Sequence, residues 1–166
     1  MGLYKIYNAP MPTTAAIVAV TTGTSIKTLL QLKTFNTVKI KEWGISFDGS
    51  AAATPIKCEL INTGTVFGTV TASADADVMK LDGNEQAVAS VAGLTLSTTG
   101  TGYTCTSEGS ITTTKIFDAQ FVAPTNQYIM QFPLGEEPKI IIGDCLRIRV
   151  HAGAAVNAIC FMKLEI

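Results

Sequence analysis

The chain of 166 residues is long enough for one domain with a sizeable buried core. Its formal net charge of −1 excludes a general binder of nucleic acid or of anionic membranes. Charged residues make up only 15% of the chain, against roughly 25% in an ordinary soluble protein, and no apolar run approaches the ~20 residues of a membrane helix. We therefore expect other copies or a larger body to cover part of the surface, although Thr and Ser side chains are an alternative covering.

The first predicted element is an extended arm at 1–14, which precedes a β-sandwich domain at 15–166. Proline has a fixed φ and no backbone N–H group, so the two prolines of the arm keep it out of the centre of a sheet. We expect the arm to contact a partner subunit, and an edge strand of its own domain is the equal alternative. The expected contact residues are Tyr4, Tyr7, Pro10 and Pro12. The arm also lacks the pattern of a secretion signal, which favours synthesis in the cytoplasm.

After the arm, β-branched residues dominate and turn residues interrupt them at short intervals. The pattern indicates roughly eight to ten strands, spaced about 8–12 residues apart. This spacing predicts an all-β, single-domain sandwich of jelly-roll or Greek-key type. The first strands are expected at AAIVAVT (15–21), IKTLLQLKT (26–34) and VKIKEWGISFD (38–48).

The alternation of apolar and polar residues changes phase along the third of these strands. Val38 and Ile40 occupy even positions, whereas Trp43, Ile45 and Phe47 occupy odd ones, so in a regular strand the two sets would lie on opposite faces. A change of phase beside Gly44 predicts a β-bulge. Trp43 is interpreted as a core residue, and the alternative is that Trp43 or a tyrosine is a stacking platform for carbohydrate.

Residues 74–93 are the least strand-like part and are predicted to be an insertion or long loop. Within them, EQAVASVAGL (85–94) is the one weak helical candidate. The acidic residues of this region fail the EF-hand spacing, so only a looser oxygen site is open and no metal is predicted. The residues of that looser site are Asp75, Asp77, Asp82 and Glu85.

The strand CLRIRVH (145–151) alternates aliphatic and basic residues. Period two places the aliphatic side chains toward the core and the basic ones on the outer, solvated face. The aliphatic set is Leu146, Ile148 and Val150, and the basic set is Arg147, Arg149 and His151. Arg147 and Arg149 are candidate interface charges for an acidic surface, since arginine forms bidentate contacts with carboxylates. The last strand, NAICFMKLEI (157–166), is apolar on both faces until Lys163, so it is central or covered by a partner.

No constellation for catalysis is visible in the sequence. There is one histidine, no G-x-S-x-G motif and no C-x-x-C pair among the four cysteines. We expect no enzyme activity, no cofactor and four buried free thiols, with a cross-strand disulfide left open.

Three segments carry a resemblance to a known class of proteins: WGISFDGSAAATPIKCELINTGT, GYTCTSEGSITTTKIFDAQFVAPTNQYIMQFPLGEEP and CLRIRVHAGAAVNAICFMKLEI. In their order and general sequence pattern they resemble the head decoration (cement, auxiliary capsid) proteins of tailed bacteriophages. The resemblance covers most of residues 24–166 and implies a β-rich protein, often trimeric, that binds the outside of an assembled shell. It implies no catalytic residues.

The expected function is therefore structural: a virion protein on the capsid exterior that stabilises the phage shell. Its expected partners are the major capsid protein and further copies of itself, with a homotrimer favoured, and neither nucleic acid nor a membrane. The alternative is a carbohydrate- or receptor-binding jelly-roll module of a phage tail or surface appendage.

Overall fold

A computed structural model describes residues 2–50, 54–83 and 93–166 of the chain. Within these residues the chain forms thirteen β-strands and one single-turn 3₁₀ helix at Asp75–Asp77. The strands are β1 (Leu3–Tyr7), β2 (Val20–Thr21), β3 (Lys27–Lys33), β4 (Val38–Phe47), β5 (Ile56–Asn62), β6 (Thr69–Ala72), β7 (Val78–Lys80), β8 (Gly102–Ser107), β9 (Lys115–Val122), β10 (Gln127–Gln131), β11 (Lys139–Ile140), β12 (Cys145–His151) and β13 (Asn157–Glu165).

Two antiparallel sheets pack face to face, so the predicted all-β sandwich is confirmed. Sheet A has the order β10-β4-β13-β1-β7, with β11 pairing with β4 and β2 with β13, and sheet B has the order β6-β8-β3-β12-β5-β9. The pairs are nested along the chain, since β1 pairs with β13, β3 with β12, β4 with β10 and β5 with β9. Segments distant in sequence are therefore neighbours in both sheets.

The core lies between the sheets and follows the period-two pattern of the strands. On β13 the buried, inward-facing residues are Ala158, Cys160, Met162 and Leu164. Trp43 is fully buried in this core, as interpreted from the sequence. Its Nε1–H group donates a hydrogen bond of 3.1 Å to Asp118 Oδ2, and the hydroxyl of Tyr128 donates one of 2.8 Å to the same oxygen. These bonds tie β4, β9 and β10 together at one margin of the sandwich.

A β-bulge lies in β4, as predicted, but at Lys41 instead of beside Gly44. Ile40 pairs with Leu164 and Glu42 pairs with Lys163, which leaves Lys41 as the extra residue. The extra residue brings the two apolar sets of β4 onto the same face. Ile40 and Trp43 therefore both point to the core, although they are three residues apart.

The structure corrects the predicted arm, because residues 3–7 are a strand inside sheet A. β1 lies between β13 and β7, with Tyr4 only 3% exposed and Ile6 fully buried. Hydrogen bonds between the backbones of Gly2 and Ile166, of 3.0 and 3.1 Å, extend the ladder past its end. The prolines follow the strand and limit only its length, which is why they did not exclude it from the sheet.

Two other predicted segments also differ from the structure. Of the strand expected at 15–21, only Val20–Thr21 pairs with another strand. The region 74–93 is not wholly a loop, since β7 pairs with β1. The weak helical candidate at 85–94 lies outside the described residues except for Gly93 and Leu94, and Leu94 is buried against Thr34.

Because β1 is a central strand, Ile6→Ala should lower the free energy of unfolding by about 2–5 kcal/mol through lost apolar contact and a cavity. Chemical denaturation measures this change. Leu134→Ala is the matched control, since Leu134 is 91% exposed and its truncation should change stability by no more than about 0.5 kcal/mol. An Ile6→Ala protein as stable as the control would show that residues 3–7 are not part of the folded sheet.

Candidate functional site

The outer face of sheet A carries a row of apolar residues that crosses four strands. Tyr7 pairs with Phe161, Phe161 pairs with Gly44, and Gly44 pairs with Ile129, all on the side opposite the core. We call these four residues the apolar row. Ile129 is 52% exposed, and Tyr7 and Phe161 are half-buried. An antiparallel sheet with one face in water ordinarily carries polar side chains there.

Gly44 allows the row to be continuous. A Cβ atom at this position would lie 2.6 Å from Cε1 of Phe161 and 3.1 Å from Cγ1 of Ile129. The phenyl ring therefore lies over bare backbone and meets the isoleucine across it. On the other side, the rings of Tyr7 and Phe161 have centroids 5.7 Å apart. Together with Ile159, these side chains line one shallow depression of the surface.

One cation lies directly over the apolar row. Lys5 Nζ is 3.8 Å from the ring centroid of Phe161 and 5.1 Å from that of Tyr7, a cation–π arrangement. In the next cross-strand row, Lys5 pairs with Lys163, and Lys163 pairs with Glu42. The apolar row is thus bordered on this side by charges of both signs.

A balanced ion cluster extends this border toward the end of the sheet. Lys41 binds Glu137 and also lies 3.1 Å from Glu165, which in turn lies 3.3 Å from Lys39. The hydrogen bond from Lys41 lowers the pKa of Glu137 to about 2. The hydrogen bonds to Glu137 and Glu165 raise the pKa of Lys41. The charges of two lysines and two carboxylates cancel one another. This border therefore does not favour a strongly charged partner.

On sheet B the structure corrects the expected solvation of Arg147, which is fully buried. Its Nη1 donates to Glu108 Oε2 at 2.9 Å and to the Glu108 carbonyl at 3.0 Å, and Nη2 donates to the Val66 carbonyl at 2.7 Å. The alternation correctly places Arg147 opposite the core. The loops at 63–68 and 108–114 then cover it, which period two alone does not reveal.

Gln31 holds the same cover in place. Its side-chain amide donates to the carbonyls of Gly68 and Gly100 at 3.2 and 2.7 Å and accepts from the Gly68 N–H at 2.8 Å. A Cβ at Gly68 would lie 2.6 Å from the sulfur of Cys105, so the loop approaches the sheet closely. Arg147 and Gln31 are therefore anchors of the loop and not free contact groups.

Arg149 is partly exposed and already paired. Its Nε and Nη2 lie 3.0 and 2.8 Å from Glu59 Oε2, and Lys57 Nζ lies 2.8 Å from Glu59 Oε1. Burial raises the pKa of Glu59, but the hydrogen bonds from Lys57 and Arg149 outweigh it and lower the pKa overall. His151, two residues further along β12, is exposed as predicted.

The predicted contact residues thus fall in different places. Tyr4 lies in the core, Tyr7 in the apolar row, and Pro10 and Pro12 on the exposed segment after β1. Sequence reasoning missed Ile129, Ile159 and Phe161 as surface candidates. The signal for two of them was present, since the last strand is apolar on both faces.

The cysteines are buried free thiols, as expected. Burial raises the pKa of Cys58 to about 12 and that of Cys105 to about 11, and it also raises the pKa values of Cys145 and Cys160. A thiol is nucleophilic as the thiolate, so these side chains are unreactive near neutral pH.

The acidic residues near 74–85 have structural contacts. Asp77 accepts hydrogen bonds from the backbone N–H groups of Met11 and Ala74 at 2.7 and 2.8 Å, and Asp82 accepts one from Leu3 at 3.3 Å. Glu85 lies outside the described residues. Among the residues the structure describes, no three His, Cys, Asp or Glu side chains are grouped to hold a metal ion, and no helix is long and apolar enough to span a membrane.

Comparisons of this chain with protein families, with curated proteins and with solved structures find no match. The functional argument therefore rests on the geometry of the surface, on the composition and on the resemblance of the three segments.

Arg147 and Arg149 form a matched pair for mutation, because they lie two residues apart on the same strand. Arg147→Ala should lower the free energy of unfolding by about 3–5 kcal/mol, since it leaves the partners of a buried guanidinium unsatisfied. Arg149→Ala should lower the free energy of unfolding by only about 1–2 kcal/mol, because Glu59 retains its ion pair with Lys57. Urea denaturation measures both, and equal losses would contradict the anchoring role of Arg147. Amide exchange at 66–68 should rise only in the Arg147 variant.

The Lys41 cluster predicts a dependence of stability on acid pH. The pKa of Glu137 is about 2 when folded and ordinarily 4.5, so its ionised form stabilises the fold fully above 4.5 and progressively less as the pH falls toward 2. Lys41→Met should return this pKa toward its ordinary value and flatten that part of the stability curve. Denaturation midpoints across the range measure the effect. Lys139→Met, at an exposed lysine of the neighbouring β11, is the control, and parallel curves for both variants would refute the prediction.

Proposed function

We propose that the chain is a structural virion protein of a tailed bacteriophage, a decoration protein that self-associates and binds the major capsid protein on the outside of the capsid. The apolar row on sheet A is the observation that supports this most directly. It is a contiguous set of half-buried aromatic rings and one exposed isoleucine on the outer face of a sheet. Such patches on soluble proteins mark contact with another macromolecule.

The chemistry around the row favours a protein partner. An apolar centre with a polar, charged margin is the usual composition of a protein–protein interface. Lys39, Lys41, Glu137 and Glu165 neutralise one another beside the row, so a second copy would not be repelled. The low charge content of the chain, 15%, fits a surface that is partly covered.

The nested strand pairing supports the jelly-roll form of the sandwich. In a jelly roll, eight strands form two Greek keys, so early strands pair with late ones. The pairs β1–β13, β3–β12, β4–β10 and β5–β9 follow this rule. These pairs supply the eight strands of the jelly roll. In that count β5 is the fourth strand and β9 the fifth, so β6, β7 and β8 belong to an insertion between them.

A closed homotrimer is the form of self-association that we propose. The apolar row lies on the face of a sheet, while further apolar side chains are exposed elsewhere, including Phe121 at 75%. When two different patches of one chain meet, the contact is heterologous and can close into a ring. Such a ring presents several identical contacts to a capsid, and this multivalency strengthens weak individual contacts. For the carbohydrate-binding alternative, the buried position of Trp43 removes one proposed stacking platform and leaves a tyrosine as the other.

Ile129→Lys tests the proposal, because this side chain is exposed and its replacement leaves the core intact. The variant should dissociate to monomers and lose binding to undecorated capsids, since a charge is placed in the apolar centre. Light scattering and co-sedimentation with shells measure the two effects. Ile142→Lys is the control, being 66% exposed on a turn before β12, and should behave as the unmodified chain. Retention of both properties by Ile129→Lys would exclude the apolar row as the contact face.

A further inference from the structure

Residues 15–19 belong to a strand expected from the sequence, yet the segment 12–19 has no strand partner in the single chain. The segment PTTAAIVA contains no charged residue and ends in β-branched and small apolar residues. None of its backbone groups is hydrogen-bonded to another described residue, and Val18 is 70% exposed. The backbone groups of this exposed segment are therefore available to pair with another strand.

The margin of sheet B offers a strand with one free edge. β9 has eight residues, with a bulge at Phe117 that leaves 118–122 as its regular stretch, and is paired on one side only, by β5, among the described residues. Ile116 and Phe121 on this strand are 58% and 75% exposed. The other marginal strands, β6, β7 and β10, have four, three and five residues. Exposed edges of this kind are templates for an added strand.

The charges of the two segments are compatible with direct pairing. Residues 12–19 are neutral, and β9 carries only Lys115 and Asp118. Asp118 Oδ2 is engaged by Trp43 and Tyr128 at the inner side of the margin. An extended neutral strand therefore meets no unpaired like charge along this edge.

Pairing within one chain is prevented by the attachment of the segment at both ends. Met11 is hydrogen-bonded to Asp77, and Val20 is paired with Ala158 on β13. Both attachments lie on the side of sheet A that carries β1 and β7. β9 and β10 form the opposite margin of the sandwich, since a short turn at 123–126 joins them and β4 and β13 lie between. The added strand must come from another copy.

We propose that residues 12–19 of one copy add as a strand to the free edge of β9 in a neighbouring copy. This inference rests on the proposed self-association and specifies its contacts. The segment enters sheet A at Val20, opposite Ala158 and one residue from Ile159, so we expect the neighbour's β9 margin to lie near the apolar row. The contact is heterologous, with a donor segment on one copy and an acceptor edge on the next.

Two double variants test the donor segment (residues 12–19) and the acceptor edge (β9) separately. Ala15→Pro with Ala16→Pro removes two successive backbone N–H groups, so one bonded donor is lost in either register, while the isolated chain loses no hydrogen bond. Ile116→Lys with Phe121→Lys places charges on the acceptor edge. Ala15→Ser with Ala16→Ser, which keeps both N–H groups, and Leu134→Lys, at an exposed apolar site on another loop, are the matched controls.

We expect each disabled variant to be monomeric by light scattering and their 1:1 mixture to form a heterodimer, because a mixed pair retains one intact donor and one intact acceptor. The controls should assemble as the unmodified chain does. Assembly of either disabled variant alone, or a mixture that stays monomeric, would overturn strand addition. If the unmodified chain is a monomer, the proposed self-association fails as well. If Ile129→Lys dissociates the oligomer while both disabled variants still assemble, strand addition alone fails.

Hydrogen exchange on the unmodified chain tests the same inference without a substitution. Alternate amides within residues 13–19, those that donate to β9, should be strongly protected at concentrations where the oligomer forms and should exchange rapidly on dilution to monomer. Rapid exchange of these amides in the oligomer would show that the segment stays unpaired.

Discussion

The placement of β13 between β1 and β4 is the constraint on which both faces of sheet A depend. Its inward residues fill the core, and its outward residues Ile159 and Phe161 form the middle of the exposed apolar surface. A strand buried on one side ordinarily alternates with polar residues. Here Ile159 and Phe161 make the middle of the outward side apolar as well, so the same pairing that completes the fold also aligns Phe161 with Tyr7 and Gly44.

The outer face of sheet B shows the opposite use of a sheet surface. Instead of apolar groups it has a fully buried guanidinium, Arg147, paired with Glu108, whose side chain is 25% exposed. Burial of a charge is costly unless its hydrogen bonds are satisfied, and here the Glu108 carboxylate and two backbone carbonyls accept them. The pairing makes the position of the loops at 63–68 and 108–114 specific. The two outer faces thus differ in what covers them: part of the chain itself on sheet B, and another molecule, as we propose, on sheet A.

Local patterns predicted what depends on local sequence. Period two correctly oriented Trp43, Ile148 and the other residues facing the core, and the phase change in β4 predicted the bulge. The errors concern contacts between distant segments. Tyr4 was assigned to an arm because nothing near it indicates that its strand partner lies some 160 residues away, at Leu164. Arg147 was assigned to solvent because its cover comes from residues near 66 and 108. The apolar row was only partly visible, since it requires the register of four strands.

The pairing of the first strand with the last also bears on how the protein is made. β1 leaves the ribosome well before its partner β13, whose Leu164 is synthesised some 160 residues after Tyr4, so sheet A cannot close until β13 has been made. At typical elongation rates the early strand waits on the order of 10 s for that partner. Throughout that interval its inward face, with Tyr4 and Ile6, is without its native neighbours from β13. Sheet A therefore stays incomplete until β13 has emerged, and its two faces form together at that point.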